Sequence, residues 1–212
     1  MYIWTDLETT GLSPTEGSIL EIAVVVTDFN LHEIGEPFVS LVCPRARQGY
    51  DAMDSYVREM HAKSGLLEHI YQIDRYGNPT RVIEEVTQKT TGEVRTALLA
   101  WFEQFIPAAV SNLEAAKFLR KISFAGSSVH FDKAWLKEHM PDFESLFSHR
   151  ILDVSSINML AEQWAPEIHS KRPGLGPDGK PVPMHRALDD IRNSIETLRY
   201  YRKSGFIGGV VL

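Results

Sequence analysis

The sequence predicts a mixed α/β fold in which a β-sheet with three antiparallel leading strands is flanked by α-helices. Three observations carry this. The first 42 residues hold three β-prone stretches separated by short turns. From about residue 52, apolar residues recur at helical spacing. Thereafter helical patterns alternate with short apolar runs at residues 121–126 and 150–154.

In the first stretch, residues 2–12, Ile3, Trp4 and Leu7 give the front half the bulk of a buried strand. Asp6 and Glu8 interrupt it two positions apart, and in a strand residues i and i+2 share a face. Thr9, Thr10 and Gly11 then favour a turn. Residues 18–28 are nearly continuous in β-branched and apolar types, as in a central strand covered on both faces. A turn at residues 28–30 leads to a third strand over residues 33–42, ended by Pro44, and residues 45–51 form a loop. Met53, Tyr56, Val57 and Met60 set a helix from about residue 52, and residues 64–70 start a second, shorter one. Residues 72–91 are weakly patterned around a turn at Tyr76, Gly77, Asn78 and Pro79. Residues 92–106 form an amphipathic helix with Val94, Leu98, Trp101, Phe102 and Phe105 on its inner stripe and Pro107 stopping it. Residues 121–126 form a short strand, after which Ser127 or Ser128 caps a helix running to about His139, before Pro141. Residues 150–154 are the last strand, and Ser155 or Ser156 caps a helix ending near Trp164. A Pro/Gly-rich connection spans residues 167–184, and loops of that length in compact domains are usually functional or mobile. The last helix, residues 186–202, buries Leu188, Ile191, Ile195 and Leu198.

The chain has 212 residues, 43% of them hydrophobic, which allows a sizeable core within one domain, residues 1–212. No run approaches the roughly 18 apolar residues of a membrane span, so no membrane partner is expected. The opening residues lack a basic n-region, so no signal peptide is expected. The single cysteine, Cys43, excludes an internal disulfide and a thiolate zinc site, and a cytoplasmic location is the simplest reading. Cys43 reads as a small core residue rather than a nucleophile. The net charge of −6 argues against a protein that grips long duplex nucleic acid through its phosphates. A nucleic-acid enzyme of this charge holds a short piece, with metal ions supplying the positive charge.

The chemistry-bearing residues fall in three segments. Asp6 and Glu8 sit side by side, where like charges raise each other's proton affinity unless a cation lies between them. The bland alternative is an edge strand showing two acids to solvent. Asp132 lies near the start of a helix that follows a strand, where open α/β sheets build their sites, though a first-turn acid also suits the helix dipole. His185 follows the long connection, and Asp190, five residues on, falls beside the buried Leu188 and Ile191, whereas Asp189 points about one hundred degrees away towards solvent. A polar group near a buried face needs a partner.

Asp6-x-Glu8, Asp132 and His185-x4-Asp190 resemble the three motifs of the DEDDh 3′→5′ exonucleases, and within them the oligoribonucleases. The resemblance extends through residues 4–12, Leu20-Glu21-Ile22-Ala23, Val26-Thr27-Asp28, residues 60–66, residues 152–156 and Ala187-x-Asp189-Asp190-Ile191, covering most of residues 2–201. It implies a ribonuclease H-like fold and two divalent ions, Mg²⁺ or Mn²⁺, which suit an all-carboxylate site. Asp6, Glu8 and Asp190 would hold one ion, Asp6 would bridge to the second, and Asp132 would hold that one directly or through water. His185 would be the general base. The substrate partner would be a short oligoribonucleotide, a dinucleotide in particular, cut from its 3′ end to 5′-mononucleotides. Leu12 would wedge the bases apart, Tyr56 would stack on one, and Ser128, Arg150, Ser155 and His61 would grip the terminal phosphate. A homodimer is also implied. The chain departs from the pattern with Ser127 where Asn is usual, Tyr56 for Trp, and His149 for a Tyr reaching across the dimer. Its segments 72–91, 107–120 and 167–184 are longer. Two alternatives remain: a DEDDh exonuclease for longer single-stranded DNA or RNA, and an inactive binding module, which would lack a metal carboxylate. None is missing.

Overall fold

The computed structural model describes residues 1–44, 48–106, 122–180, 182 and 185–208. Expectations for Pro107, for segment 107–120 and for part of the loop before His185 therefore lie outside the described residues.

Three strands open the chain: β1 (Tyr2–Thr9), β2 (Ile19–Thr27) and β3 (Phe38–Leu41). They pair antiparallel, with Leu7 opposite Ile22 and Ile22 opposite Ser40. All nine residues of β2 are buried, as its nearly continuous apolar run required. β3 is shorter than the expected 33–42. Gly35 takes a left-handed φ of 71°, and Pro37 has no N–H to donate to the ladder, so only a single bridge from Glu33 to Thr27 precedes the strand.

The end of the loop expected over residues 45–51 is instead a turn of helix, α1 (Gln48–Asp51), and the helix expected from residue 52 begins later, as α2 (Ser55–Lys63). Asp54 separates them, its carboxylate accepting from the Val57 amide at 2.8 Å as the N-cap of α2. α3 (Leu66–Ile70) follows. The weakly patterned segment holds a hairpin, β4 (Tyr71–Ile73) with β5 (Pro79–Val82). Gly77 at φ 83° makes its turn, and Asp74 Oδ1 accepts from the Tyr76 and Asn78 amides. A one-turn α4 (Glu84–Thr87) and the amphipathic α5 (Thr91–Glu103) come next, the latter started by a capping box between Thr90 and Glu93.

β6 (Ser123–Gly126) pairs parallel with β1, and β7 (Ile151–Asp153) parallel with β6. Between them lie α6 (His130–His139) and α7 (Pro141–Glu144). α8 (Val154–Trp164), α9 (Pro166–His169) and α10 (Ala187–Lys203) complete the chain. The sheet order is β3-β2-β1-β6-β7, so β1 lies at the centre of a mixed five-stranded sheet. Two expected serine caps are absent. α6 has no side-chain cap, because Ser127 Oγ pairs with Ser194 Oγ at 2.8 Å and Ser128 turns into a left-handed φ of 53°. α8 is capped by Asp153, not a serine.

Strand alternation sorts the core into two layers. Ile3, Leu7, Ile22, Val24 and Val26 pack on one face with Val94, Leu98 and Phe102 of α5 and Trp135 and Leu136 of α6. Trp4, Ala23 and Val25 pack on the other with Val154 of α8 and Ala187, Ile191 and Ile195 of α10. Asp6 and Glu8 have the parity of Trp4, so β1 presents them towards α10. No helix among the described residues is long and apolar enough to cross a membrane.

Candidate active site

The site is built where β1 ends. Asp6, Glu8 and Asp190 each offer a carboxylate oxygen, and the three lie within 4.8 Å of one another. The alternation of β1 supplies the first two. The third comes from the first turn of α10, whose apolar face places Asp190 half-buried and leaves Asp189 exposed, as the helical spacing implied. Asp132 approaches from the opposite layer. It is the first-turn acid of α6, and its Oδ1 accepts from the Leu7 amide at 2.9 Å while its side chain is almost fully buried. Asp132 is a first-turn acid, as the dipole favours, but an enclosed one rather than a solvated one.

Acids gathered in this way raise proton affinity, Asp6 and Glu8 being opposed by their neighbours. Burial pushes Asp6 well above the usual carboxylate range, and Asp132, Glu8 and Asp190 push it further. Glu8 rises to about 8, from burial first and then from Asp190 and Glu21. Asp132 also rises to about 8, chiefly through burial and against the pull of the Leu7 amide. Asp190 is raised by burial and held down in part by His185. Such a cluster of hard oxygen donors fits divalent ions, which would supply the charge that the protein leaves uncompensated.

A cavity of about 430 Å³ opens over the cluster, lined by Asp6, Glu8 and Asp190 with His185, Leu12 and Tyr56. Leu12 is 85% exposed and Tyr56 72% exposed, although both are large and apolar, so plain packing does not explain either. His185 stands in the left-handed region at φ 49°, a strained setting for a residue with a side chain. Ser128 and Ser155 form a second group. Asp153 Oδ1 accepts both of their amides, at 3.0 and 2.9 Å, and their hydroxyls meet at 3.1 Å. Arg150, exposed, immediately precedes β7.

His61 does not join that group. It is completely buried beneath the site, with Nε2 donating to the Thr9 carbonyl at 2.8 Å and Nδ1 at 3.6 Å from Glu8 Oε2. A grip on a terminal phosphate needs surface, and His61 has none. Burial lowers its pKa while Glu8 is raised, so the contact is one between neutral partners rather than an ion pair.

Sequence reasoning missed Glu21 and Arg186 as a pair. Glu21 lies directly opposite Glu8 across the β1–β2 ladder and is buried. Its carboxylate accepts from Arg186 Nε at 3.2 Å and Nη2 at 2.7 Å, and from the Ala187 amide at 3.0 Å. The bond fastens the start of α10, and thereby Asp190 and His185, to β2. An acid inside an otherwise apolar nine-residue strand was the available signal.

The exonuclease family model RNase_T matches residues 3–67 and 60–198. The chain is 36% identical over 201 residues to the oligoribonuclease of Halorhodospira halophila, covering 95% of this chain and 92% of that protein. It is 36% identical over 204 residues to the oligoribonuclease of Nitrosomonas europaea, covering 96% and 94%. The chain belongs to the oligoribonuclease family. It is accordingly a hydrolase of the 3′→5′ exoribonuclease class. Among solved structures it is similar to Exonuclease I from Methylocaldum szegediense, with a TM-score of 0.54, 21% identity and 95% of this chain covered. The chain spans 40% of that protein's length, and the likeness concerns the fold, which is ribonuclease H-like.

Proposed function

We propose that this oligoribonuclease-family chain hydrolyses short oligoribonucleotides, dinucleotides in particular, from the 3′ end to 5′-mononucleotides. The observation that carries this reading is that exposed Leu12 and Tyr56 flank the same cavity as the carboxylates. A two-residue substrate then has its scissile phosphate over the acids and its bases against Leu12 and Tyr56.

Asp6, Glu8, Asp190 and Asp132 would hold two divalent ions, Mg²⁺ or Mn²⁺. When bound, such ions supply the positive charge that stabilises the attacking and leaving oxygens of an in-line displacement on phosphorus. The residues supply the rest. His185 accepts a proton from the attacking water, at the edge of the cavity it shares with the Asp190 carboxylate. Glu21 and Arg186 keep α10 seated so that His185 and Asp190 share one edge of the cavity. Tyr56 offers its exposed ring as a stacking face, and Leu12 separates the bases. Ser128, Ser155 and Arg150 offer two hydroxyls and a guanidinium to a 5′-terminal phosphate, with Asp153 orienting the serine backbone. His61 orients Glu8 from behind and does not touch substrate.

The chain would act as a single domain in a homodimer in the cytoplasm. Exposed Ile151 on the edge strand β7, with exposed Met159, Leu160 and Trp164 on α8, provides apolar surface for a second copy. Sedimentation of the wild type against Trp164→Asp tests this, with a dimer expected only for the former.

The central experiment compares a labelled diribonucleotide with a twenty-mer in Mg²⁺. Much faster turnover of the dinucleotide is expected. Equal or reversed rates would instead favour an exonuclease for longer single strands.

A further inference from the structure

The loop between β1 and β2, residues 10–18, carries Leu12, and its geometry is set by α6. Its neck is closed by Thr10, whose amide donates to the Ser18 carbonyl at 3.0 Å and whose Oγ1 accepts from the Ser18 amide at 2.8 Å. Its body is a turn in which the Gly17 amide donates to the Ser13 carbonyl at 2.9 Å. Neither contact fixes the body relative to the carboxylates. Two residues one turn apart on α6 do so. His139 Nε2 donates to the Pro14 carbonyl at 2.8 Å, and its ring lies at 13° to that of Trp135 with centroids 5.3 Å apart. Trp135 is fully buried, and its ring fills the space at Gly17, where a Cβ would lie only 2.5 Å from it. The loop therefore closes on the indole from above, and only glycine fits at that point.

The same helix holds Asp132 against the Leu7 amide. Leu7 and Pro14 are seven residues apart, as are Asp132 and His139, and along a helix seven residues span about 10 Å. One rigid element thus touches β1 at the carboxylates and the loop beyond Leu12.

We infer that His139, held by its stack on Trp135, is a positioning residue that fixes the Leu12 loop at a set distance from the metal-binding acids and so determines recognition of a dinucleotide. The inference rests on the role proposed above for Leu12. His139 makes no contact with the cavity lining itself; it acts through the loop.

Three variants test it: His139→Phe, which keeps a ring to stack but removes the donor; His139→Gln, which restores an N–H; and Leu12→Ala. Each is assayed with a diribonucleotide and with the p-nitrophenyl ester of thymidine 5′-monophosphate, which presents a phosphodiester without a second base. H139F should lower kcat/KM for the dinucleotide about tenfold, mostly through KM, and change hydrolysis of the ester less than about twofold. H139Q should recover most of the loss. The H139F/L12A double variant should be no worse than the poorer single variant. Hydrogen exchange at the amides of residues 13–17 should be faster in H139F. A parallel fall with the ester would overturn the inference, because α6 would then serve only the carboxylates. Unchanged exchange would overturn it too, since the loop would not be anchored there. Full dinucleotide activity in L12A would instead remove the role of Leu12, and with it the link from anchor to substrate, while the exchange result would still report on the anchor alone.

Discussion

At the residue scale, the site is a set of acids that protect their protons until a cation arrives. In the metal-free folded protein burial and neighbouring acids hold Glu8 and Asp132 at about 8, against ordinary values of 4.5 and 3.8. The folded state therefore binds more protons than the unfolded state between those limits. The contribution of these two acids to stability is fully present below about pH 4 and is lost as pH rises to about 8. Thermal unfolding in a chelator should show the midpoint dropping across that window, and millimolar Mg²⁺ should restore it at the alkaline end. Asp6→Asn should reduce turnover by on the order of a thousandfold, as loss of a central electrostatic group does. The same change should raise the metal-free unfolding midpoint at pH 8, since Asn is neutral without taking up a proton on folding. A midpoint that fell instead would mean that Asp6 is held by partners rather than opposed by neighbours. These acids were legible in the sequence because two of them broke a strand pattern at a spacing of two and a third sat beside a helix's apolar stripe. The burial of Asp132 was not legible, because its partner is a backbone amide.

At the element scale, α10 is useful only while its start is fastened. Arg186→Ala leaves the Glu21 carboxylate buried and without its cation, which should cost about 2–3 kcal/mol. That is less than for a wholly enclosed pair, because the Arg186 side chain keeps 30% of its surface exposed. Denaturant unfolding at pH 7 reads the loss, and activity should fall with it because Asp190 and His185 ride on the same turn. The elements themselves divide by the strength of their local signal. β2 and α5 were readable from a continuous apolar run and a helical stripe. The start of α2 was not, since Met53 keeps a helical spacing to Tyr56 and Val57 across Asp54, and the cap won. The β4–β5 hairpin is only seven residues of strand held by the turn at Gly77, too short for alternation to register. The serine caps went wrong for another reason: Ser127 and Ser128 spend their hydroxyls on α10 and α8, partners distant in the chain.

At the scale of the whole molecule, an acidic protein that cuts nucleic acid must rely on local contacts. With a net charge of −6 it gains no general attraction for phosphates. A substrate with two phosphates releases few counterions, so log KM for a 5′-phosphorylated dinucleotide should rise with log salt at a slope below about 1.5. Steady-state kinetics between low and moderate KCl measure it, and a slope several times steeper would indicate a longer basic track for nucleic acid. The sheet order was foreseeable as far as the antiparallel first three strands, which are joined by short connections. The parallel addition of β6 and β7 was not, because β6 pairs with β1 from more than a hundred residues away and β7 joins β6 only after a helical crossover.

The bond from the Leu7 amide to Asp132 has a further meaning for mutational tolerance. A carboxylate oriented by a side chain can be lost through drift at that partner, whereas one oriented by the main chain is insulated from it. In a saturation scan of residue 7, substitutions should lower activity only as far as they disturb packing. Proline alone, which has no amide hydrogen, should separate the two measures, removing activity beyond what its loss of stability explains. The position is shielded by chemistry that almost every amino acid shares.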